Sequence, residues 1–429
     1  MDDTTADSET EIPLKVSLVE RLRLEFSFVK GNFKILVLSW ILVDFAREIP
    51  STYYGLYVRA LGGSAATVGF ISFVSMITQS LVQLPGGYLA DKYGRKILIS
   101  TMTFGVAVSY LFYAIATSWH MILFGAILNS LCMIYGPALN AIVADSVPKE
   151  RRGMGFSIMN LINSVSTTPA PLIAGWLFTR MGLIPSMRLG YGIFAGAFFV
   201  AGIIRFRLTE TLSEPERIDI KELVDIYPKS ISQGVQVWSH LPRSAFALFV
   251  TNVVSMFSLN IFLSIMLFWI VDDLGISELN WSYILTGMFV SMILLAIPIG
   301  KAIDKYGKKR LLIVAYLVWL AIIPIFLWGN FHILLMGTPL IGVLQIAMMA
   351  SSSALFADLV PSEHRGKVSG ITGFFTNIAM AFGQLAGGMM YDNFSHSLPW
   401  IVQVIFIIPI LVIIILYIDE PEKEREESQ

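Results

Sequence analysis

The sequence predicts an all-α membrane protein in which twelve transmembrane helices form two six-helix bundles, with the N- and C-termini cytoplasmic. Three observations carry this reading. Mean hydropathy is +0.70 and only 14% of the residues are charged, against roughly a quarter in a soluble domain. Lysine and arginine concentrate in alternate connecting segments. A block of sequence recurs at a fixed offset of 213 residues.

A window of about 20 residues, the length that crosses roughly 30 Å of hydrocarbon, places apolar stretches near 34–58, 66–90, 97–117, 121–144, 154–179, 188–207, 244–271, 279–303, 311–329, 333–356, 367–391 and 397–418. They must be helical, because an open strand cannot satisfy its backbone in lipid and no alternating ten-residue pattern suggests a barrel. With both termini inside, 26 of the 30 basic residues fall on cytoplasmic segments and only Arg59, Arg180 and Arg188 outside, as the positive-inside rule requires. Arg47 is the exception, inside the first helix. The acidic start of the chain is the reverse of a secretory signal peptide, and one cysteine, Cys132, gives no disulfide or thiolate metal site. The expected organisation is a tail at 1–33 with an amphipathic helix over 16–30, a bundle at 34–207, a charged linker at 208–243 with short interfacial helices, a second bundle at 244–418 and an acidic tail at 419–429.

Residues 85–99, "PGGYLADKYGRKILI", align without a gap to 298–312, "PIGKAIDKYGKKRLL", with eight identities in fifteen. The same offset brings "ADSVPKERRG" at 144–153 onto "ADLVPSEHRG" at 357–366 with seven in ten, and Leu61-Gly62 onto Leu274-Gly275. Chance likeness between apolar helices would not keep Asp, Lys, Gly, Pro and Arg at one spacing. The halves are an internal duplication in one orientation.

"GYLADKYGRK", Gly87 to Lys96, resembles the signature of the major facilitator superfamily between helices 2 and 3, with a weaker copy at Gly300 to Lys309. "ADxxPxxxRG" after helices 4 and 10 is similar to the same family, and the resemblance covers about 34–418. Physically, Gly87 permits close helix approach, Gly94 a tight turn, and Asp91 with Arg95 and Lys96 can form a charged latch that breaks and reforms as the halves rock. The resemblance implies that this latch steadies an outward-open state. Asp304 with Lys308 departs by one residue, which predicts a looser second latch; a basic turn that only fixes topology is the plainer reading of both. The family's exporters carry a glycine-rich motif in helix 5, where this chain has Ser166, Ala170-Pro171 and Ala174-Gly175. That gives export a modest edge and predicts a kink near Pro169 and Pro171.

The stretch "VDFARE" puts Asp44, Arg47 and Glu48 about ten residues into the first helix, roughly 15 Å along its axis. Asp44 is i,i+3 with Arg47 and i,i+4 with Glu48. Asp44 and Glu48 are the only acids assigned to a helix interior, and no other cation is assigned there. Charges at that depth face protein or a wet cavity. One arginine neutralises one carboxylate, and the surplus carboxylate can take and release a proton; a static buried ion pair is the competing reading. Shifted by 213, the three become Phe257, Asn260 and Ile261, so one half alone has the charges. Their net negative charge favours a cationic or neutral solute.

Further lining candidates are Gln79, Asn129, Tyr135, Asn140, Asn163, Asn252, Asn260 and Gln345, some of them on helices the resemblance implies line a cavity; each serves equally well as interhelical glue. Tyr53, Tyr54 and Tyr57 form an interfacial belt or an outer gate, with the belt favoured. The expectation is a secondary transporter in the plasma membrane, multi-pass and monomeric, moving a small organic solute by alternating access with a proton gradient as driving force and no cofactor. Efflux is favoured over nutrient symport. A non-transporting sensor on the same fold is the alternative of another class. No catalytic constellation, metal-ligand cluster, phosphate loop or nucleic-acid surface is evident, so neither an enzyme nor a nucleic-acid partner is expected.

Overall fold

The computed structural model describes residues 28–148, 159, 162, 164–212, 228, 241–361 and 364–420. These are helical, with no strand among the described residues. Residues 16–27 of the amphipathic helix expected over 16–30, the interior of the linker, the acidic tail beyond 420 and Asn163 lie outside them. Among the described residues nine helices are long and apolar enough to cross a membrane.

In the first half the helices are α1 (Gly31–Ser51), α2 (Tyr54–Ala60), α3 (Ala65–Lys92), α4 (Arg95–Ala114), α5 (Trp119–Cys132), α6 (Gly136–Ser146), α7 (Ala170–Met181) and α8 (Leu183–Arg205). The second half has α9 (Arg243–Leu263), α10 (Glu278–Tyr306), α11 (Lys308–Trp328), α12 (Phe331–Leu359), α13 (Arg365–Asn393) and α14 (Leu398–Tyr417). Three stretches that read as single helices are broken. The first stops at Ser51, one residue after Pro50, and resumes at Tyr54; a proline withdraws an N–H from the ladder. The fourth passes through a 3-10 turn at Met133–Tyr135 just before Pro137. The seventh ends in a π turn at Trp269–Asp273. Thr168 and Pro169 form a turn that starts α7, where the prolines predicted a bend.

Each half has its own aromatic core. Tyr110 stacks among Phe194 and Phe198 at centroid distances of 4.3 and 5.9 Å, and Tyr113 meets Tyr191 at 4.8 Å. In the second half Trp400 gathers Phe262 at 4.8 Å and Phe326 at 5.4 Å.

The halves touch at one end of the molecule, the end bearing the turns at Gly62 and Gly275. There the Tyr53 hydroxyl donates to the Glu278 carbonyl at 2.8 Å and meets Ser282 Oγ at 2.5 Å. Arg59 pairs with Asp272 and lies over the Phe268 ring. Asp392 accepts from the Ala66 amide at 2.7 Å, beside the Ser64 cap on the N-terminus of α3. A Cβ on Gly388 would meet the Ala65 carbonyl at 2.4 Å, and one on Gly69 the Gln384 carbonyl at 2.3 Å. At the opposite end the α13 glycines Gly366, Gly370 and Gly373 have open space beside them. Among the described residues the molecule is a V, closed at the first end and open at the second.

This corrects the reading of the tyrosines. Tyr53 and Tyr57 are 1% and 0% exposed, and the Tyr57 hydroxyl donates to the Tyr113 carbonyl. They face inward, and Tyr53 belongs to the closure. An interfacial belt needs rings at the lipid boundary, which these are not.

Candidate functional site

Asp44, Arg47 and Glu48 lie on consecutive turns of α1. Arg47 reaches both acids: its Nη2 is 2.9 Å from Glu48 Oε1, its Nε donates to the same oxygen at 3.0 Å, and its Nη1 is 3.9 Å from Asp44 Oδ1. The side chains of Asp44 and Glu48 are 15% and 20% exposed, that of Arg47 44%. Glu48 also accepts from Ser51 Oγ at 3.0 Å. Glu48 lines a cavity of about 260 Å³ between the halves, walled by Ser72, Pro171, Phe268, Trp281 and Gln384 among others. The cluster is therefore a half-open ion pair at a cavity wall, with one cation shared by two carboxylates.

Across the duplication the partner positions are neutral. Asn260 is 2% exposed, donates to the Met256 carbonyl at 2.8 Å and accepts from Gln384 Nε2 at 3.0 Å. Asn252 accepts from Ser352 Oγ at 2.8 Å. Asn252, Asn260 and Gln345 line a second cavity of about 590 Å³ inside the second half. Gln79 and Asn140 are exposed. Asn129 has its Oδ1 buried, with no hydrogen-bond partner among the described residues.

The expected latch is built differently from its sequence reading. Arg95 pairs with Asp145 and donates to Thr211 Oγ1 at 3.0 Å, and keeps the expected partner Asp91 as a longer ion pair at 3.7 Å, with the Asp91 side chain 73% exposed. Beyond Asp145, Glu210 accepts from the amides of Arg95 and Lys96, at 3.2 and 2.9 Å. Burial alone would raise the Glu210 carboxyl, but the amides of Leu212, Lys96, Arg95 and Thr211 outweigh it and hold it below its ordinary value. This is anion binding at the N-terminus of a helix. The second half repeats the plan: Lys308 pairs with Asp358, not Asp304, and Glu420 accepts from the amides of Lys308 and Lys309 at 2.7 and 3.3 Å. Gly94 and Gly307 precede both helix starts at φ of 110° and 93°, the region where glycine is needed. The second site keeps the same plan with fewer side-chain contacts: Lys308 has Asp358, where Arg95 has Asp145, Thr211 and Asp91. Both are braces within one half rather than contacts between halves. Close helix approach also falls one residue early: a Cβ on Gly86 would meet the Ile134 carbonyl at 2.2 Å, while at Gly87 the nearest atom is at 4.0 Å.

The residue most clearly missed is Arg205. Counted among cytoplasmic loop cations, it ends α8 at 1% exposure. Its Nε donates to Ser39 Oγ at 3.1 Å and its Nη1 to Thr103 Oγ1 at 2.9 Å and Tyr135 Oη at 3.4 Å. Its guanidinium lies 5.8 Å from the Tyr135 ring centre. So Tyr135 holds a buried cation at the core of the first half. Arg205 lies inside the expected 188–207 span but two residues from its end, and so counts in sequence as a loop cation rather than an interior one.

The family model described as Major Facilitator Superfamily matches residues 36–265 and 248–429. A multidrug resistance protein, MdtG, of Salmonella schwarzengrund is 24% identical over 383 residues, covering 85% of this chain and 90% of its own length. An uncharacterized MFS-type transporter of Methanocaldococcus jannaschii is also 24% identical, over 85% of this chain and 92% of its own. A solved bacterial homolog of the human lysosomal transporter Spinster, in an inward-facing and occupied conformation, superposes with a TM-score of 0.66 at 13% identity, over 94% of this chain and 97% of the other. This multi-pass membrane protein belongs to the Major Facilitator Superfamily of transporters.

Proposed function

We propose that the chain is a proton-coupled secondary transporter that exports a small cationic or neutral organic solute by alternating access. Twelve spans, cytoplasmic termini, a monomeric state and a plasma-membrane location are part of this reading. The positive-inside distribution supports the orientation, which makes the closed end of the V the outer one and the open end cytoplasmic. The observation that carries the reading is the trio at the cavity wall: two carboxylates share Arg47, and Glu48 faces the space between the halves.

The chemistry follows from charge balance. With the molecule open to the cytoplasm, a cation binds beside the ionised carboxylates as one proton leaves. The halves rock, the Tyr53, Arg59 and Asp392 contacts part, and the site meets the outside. A proton from that side neutralises the carboxylate and releases the cation. One proton enters per monovalent cation exported, with no net charge moved. The multidrug relative, at 24% identity, supports the direction.

The test is flux in proteoliposomes across a compound panel under an imposed pH gradient, comparing wild type with Asp44→Asn and Glu48→Gln. The reading expects gradient-dependent flux that falls by about tenfold or more in at least one variant. Flux indifferent to the gradient and to both substitutions would remove it, and solute uptake together with protons would turn it into symport.

A further inference from the structure

The duplication brings two sets of residues to equivalent stations. Shifted by 213, Ser39, Thr103 and Tyr135 become Asn252, Tyr316 and Met348. In the first half those three close on the Arg205 guanidinium, which fills the bundle core. In the second half no cation enters from the end of α14, where Ile415, Leu416, Tyr417 and Ile418 stand. Asn252, Tyr316 and Met348 instead line the cavity of about 590 Å³, a size typical of small-ligand sites.

This cavity is not the space between the halves. It runs behind α9, α10 and α12 to α11 and α14, touching Trp319, Gln403 and Ile407. Its walls are largely apolar, with Met256, Met288, Met348 and Met349, whose flexible thioethers adapt to varied shapes. Thr251 and Gln403 are also in its lining, 1% and 2% exposed, and Thr251 Oγ1 and Gln403 Oε1 have no hydrogen-bond partner among the described residues. Unmet polar atoms at that burial are costly unless something binds them. Leu263, Met266, Trp281, Leu285 and Phe289 form a wall common to this cavity and the one that Glu48 lines.

We propose that the cavity inside the second half receives the apolar body of the transported solute while its polar head stands at Glu48. The substrate class is then an amphipath: a cationic or neutral head joined to an extended apolar part with a hydrogen-bond donor toward its far end. This rests on the transport reading above and adds to it a subsite that the space between the halves does not contain.

The test uses the full chain in nanodiscs with decyltrimethylammonium carrying a terminal diazirine, tetramethylammonium as the headgroup alone, and empty nanodiscs as the partition blank. The photoproduct is expected on the cavity-lining Tyr316, Trp319, Phe326, Gln403 or Ile407. The decyl cation should bind about tenfold tighter than the headgroup after the blank is removed, since packing rather than transfer from lipid supplies the difference. A terminal hydroxyl on the tail should strengthen binding in wild type and lose that advantage in Gln403→Leu. Thr338→Trp, which fills the cavity, should remove the tail-length preference; the wild-type labelling map stands whether or not that variant folds. Labelling confined to the lipid-facing Leu317, Ile405 and Ile408 or to the first half, equal affinity for the two cations, or a phospholipid that the amphipath cannot displace would each overturn the proposal. Flux is read separately: labelling of the cavity without flux removes the transport reading, and flux without labelling there removes this one.

Discussion

At equivalent stations the first half closes Ser39, Thr103 and Tyr135 on Arg205, and the second leaves Asn252, Tyr316 and Met348 around an open cavity. The first carries Asp44, Arg47 and Glu48 where the second has Phe257, Asn260 and Ile261. Yet the braces are alike, Arg95 with Asp145 and Glu210 in one half, Lys308 with Asp358 and Glu420 in the other. What the halves keep in common is what any six-helix unit needs to hold its open end together. They differ in the charge on the first helix of each half and in whether the bundle core is filled. Charge sits in one half and adaptable apolar volume in the other.

The largest expected effect comes from emptying the first core. Arg205→Met takes the guanidinium donor from the Ser39, Thr103 and Tyr135 hydroxyls and leaves a void, and should cost about 2–4 kcal/mol of stability in reversible denaturation. A cost below about 1 kcal/mol would mean that the two cores are not differently built. The contact between the halves comes next. Tyr53→Phe removes a hydrogen bond made only when the Gly62 end is closed, and should shift the conformational balance by about 1 kcal/mol, some fivefold. Distances between spin labels across that end would read the shift, and the one native cysteine, Cys132, is buried and leaves the background clean.

The braces give smaller effects. Arg95→Lys should cost about 1 kcal/mol because Arg95 serves Asp145 and Thr211 at once, whereas Lys308→Arg should be close to neutral. Equal costs would undo that asymmetry. Glu210→Gln should cost about 0.5–1 kcal/mol at neutral pH, as a lost helix-terminal anion. Because the folded state holds Glu210 below its ordinary value, its contribution is present above that value and disappears as pH falls through the folded one. The gap between wild type and Glu210→Gln should therefore close on acidification below the carboxylate range, as thermal unfolding across pH would show.

The helical membrane class was legible because hydropathy is a property of single stretches, and the duplication because charged turns survive drift better than apolar helices do. Arg205 escaped because, two residues from the end of the expected 188–207 span, it counts with the cytoplasmic loop, although its guanidinium folds back among three hydroxyls. Asp145 and Asp358 were in view: the offset that aligned "ADSVPKERRG" with "ADLVPSEHRG" aligns them as well. The pairing with Arg95 and Lys308 needed the third dimension. Tyr53 was read as belt because composition gives depth but not facing, and Gly86 displaced Gly87 because a helix face turns by 100° per residue. The cavity in the second half had no local signature at all, since it is made by what six helices fail to fill.

The division of labour itself is tested most directly by counting protons. In calorimetry with buffers of differing ionisation enthalpy, binding of a cationic solute to wild type should release about one proton, and binding to the Asp44→Asn, Glu48→Gln double variant none. Equal release from both proteins, or no release from wild type, would contradict the assignment of the proton site to the charged half.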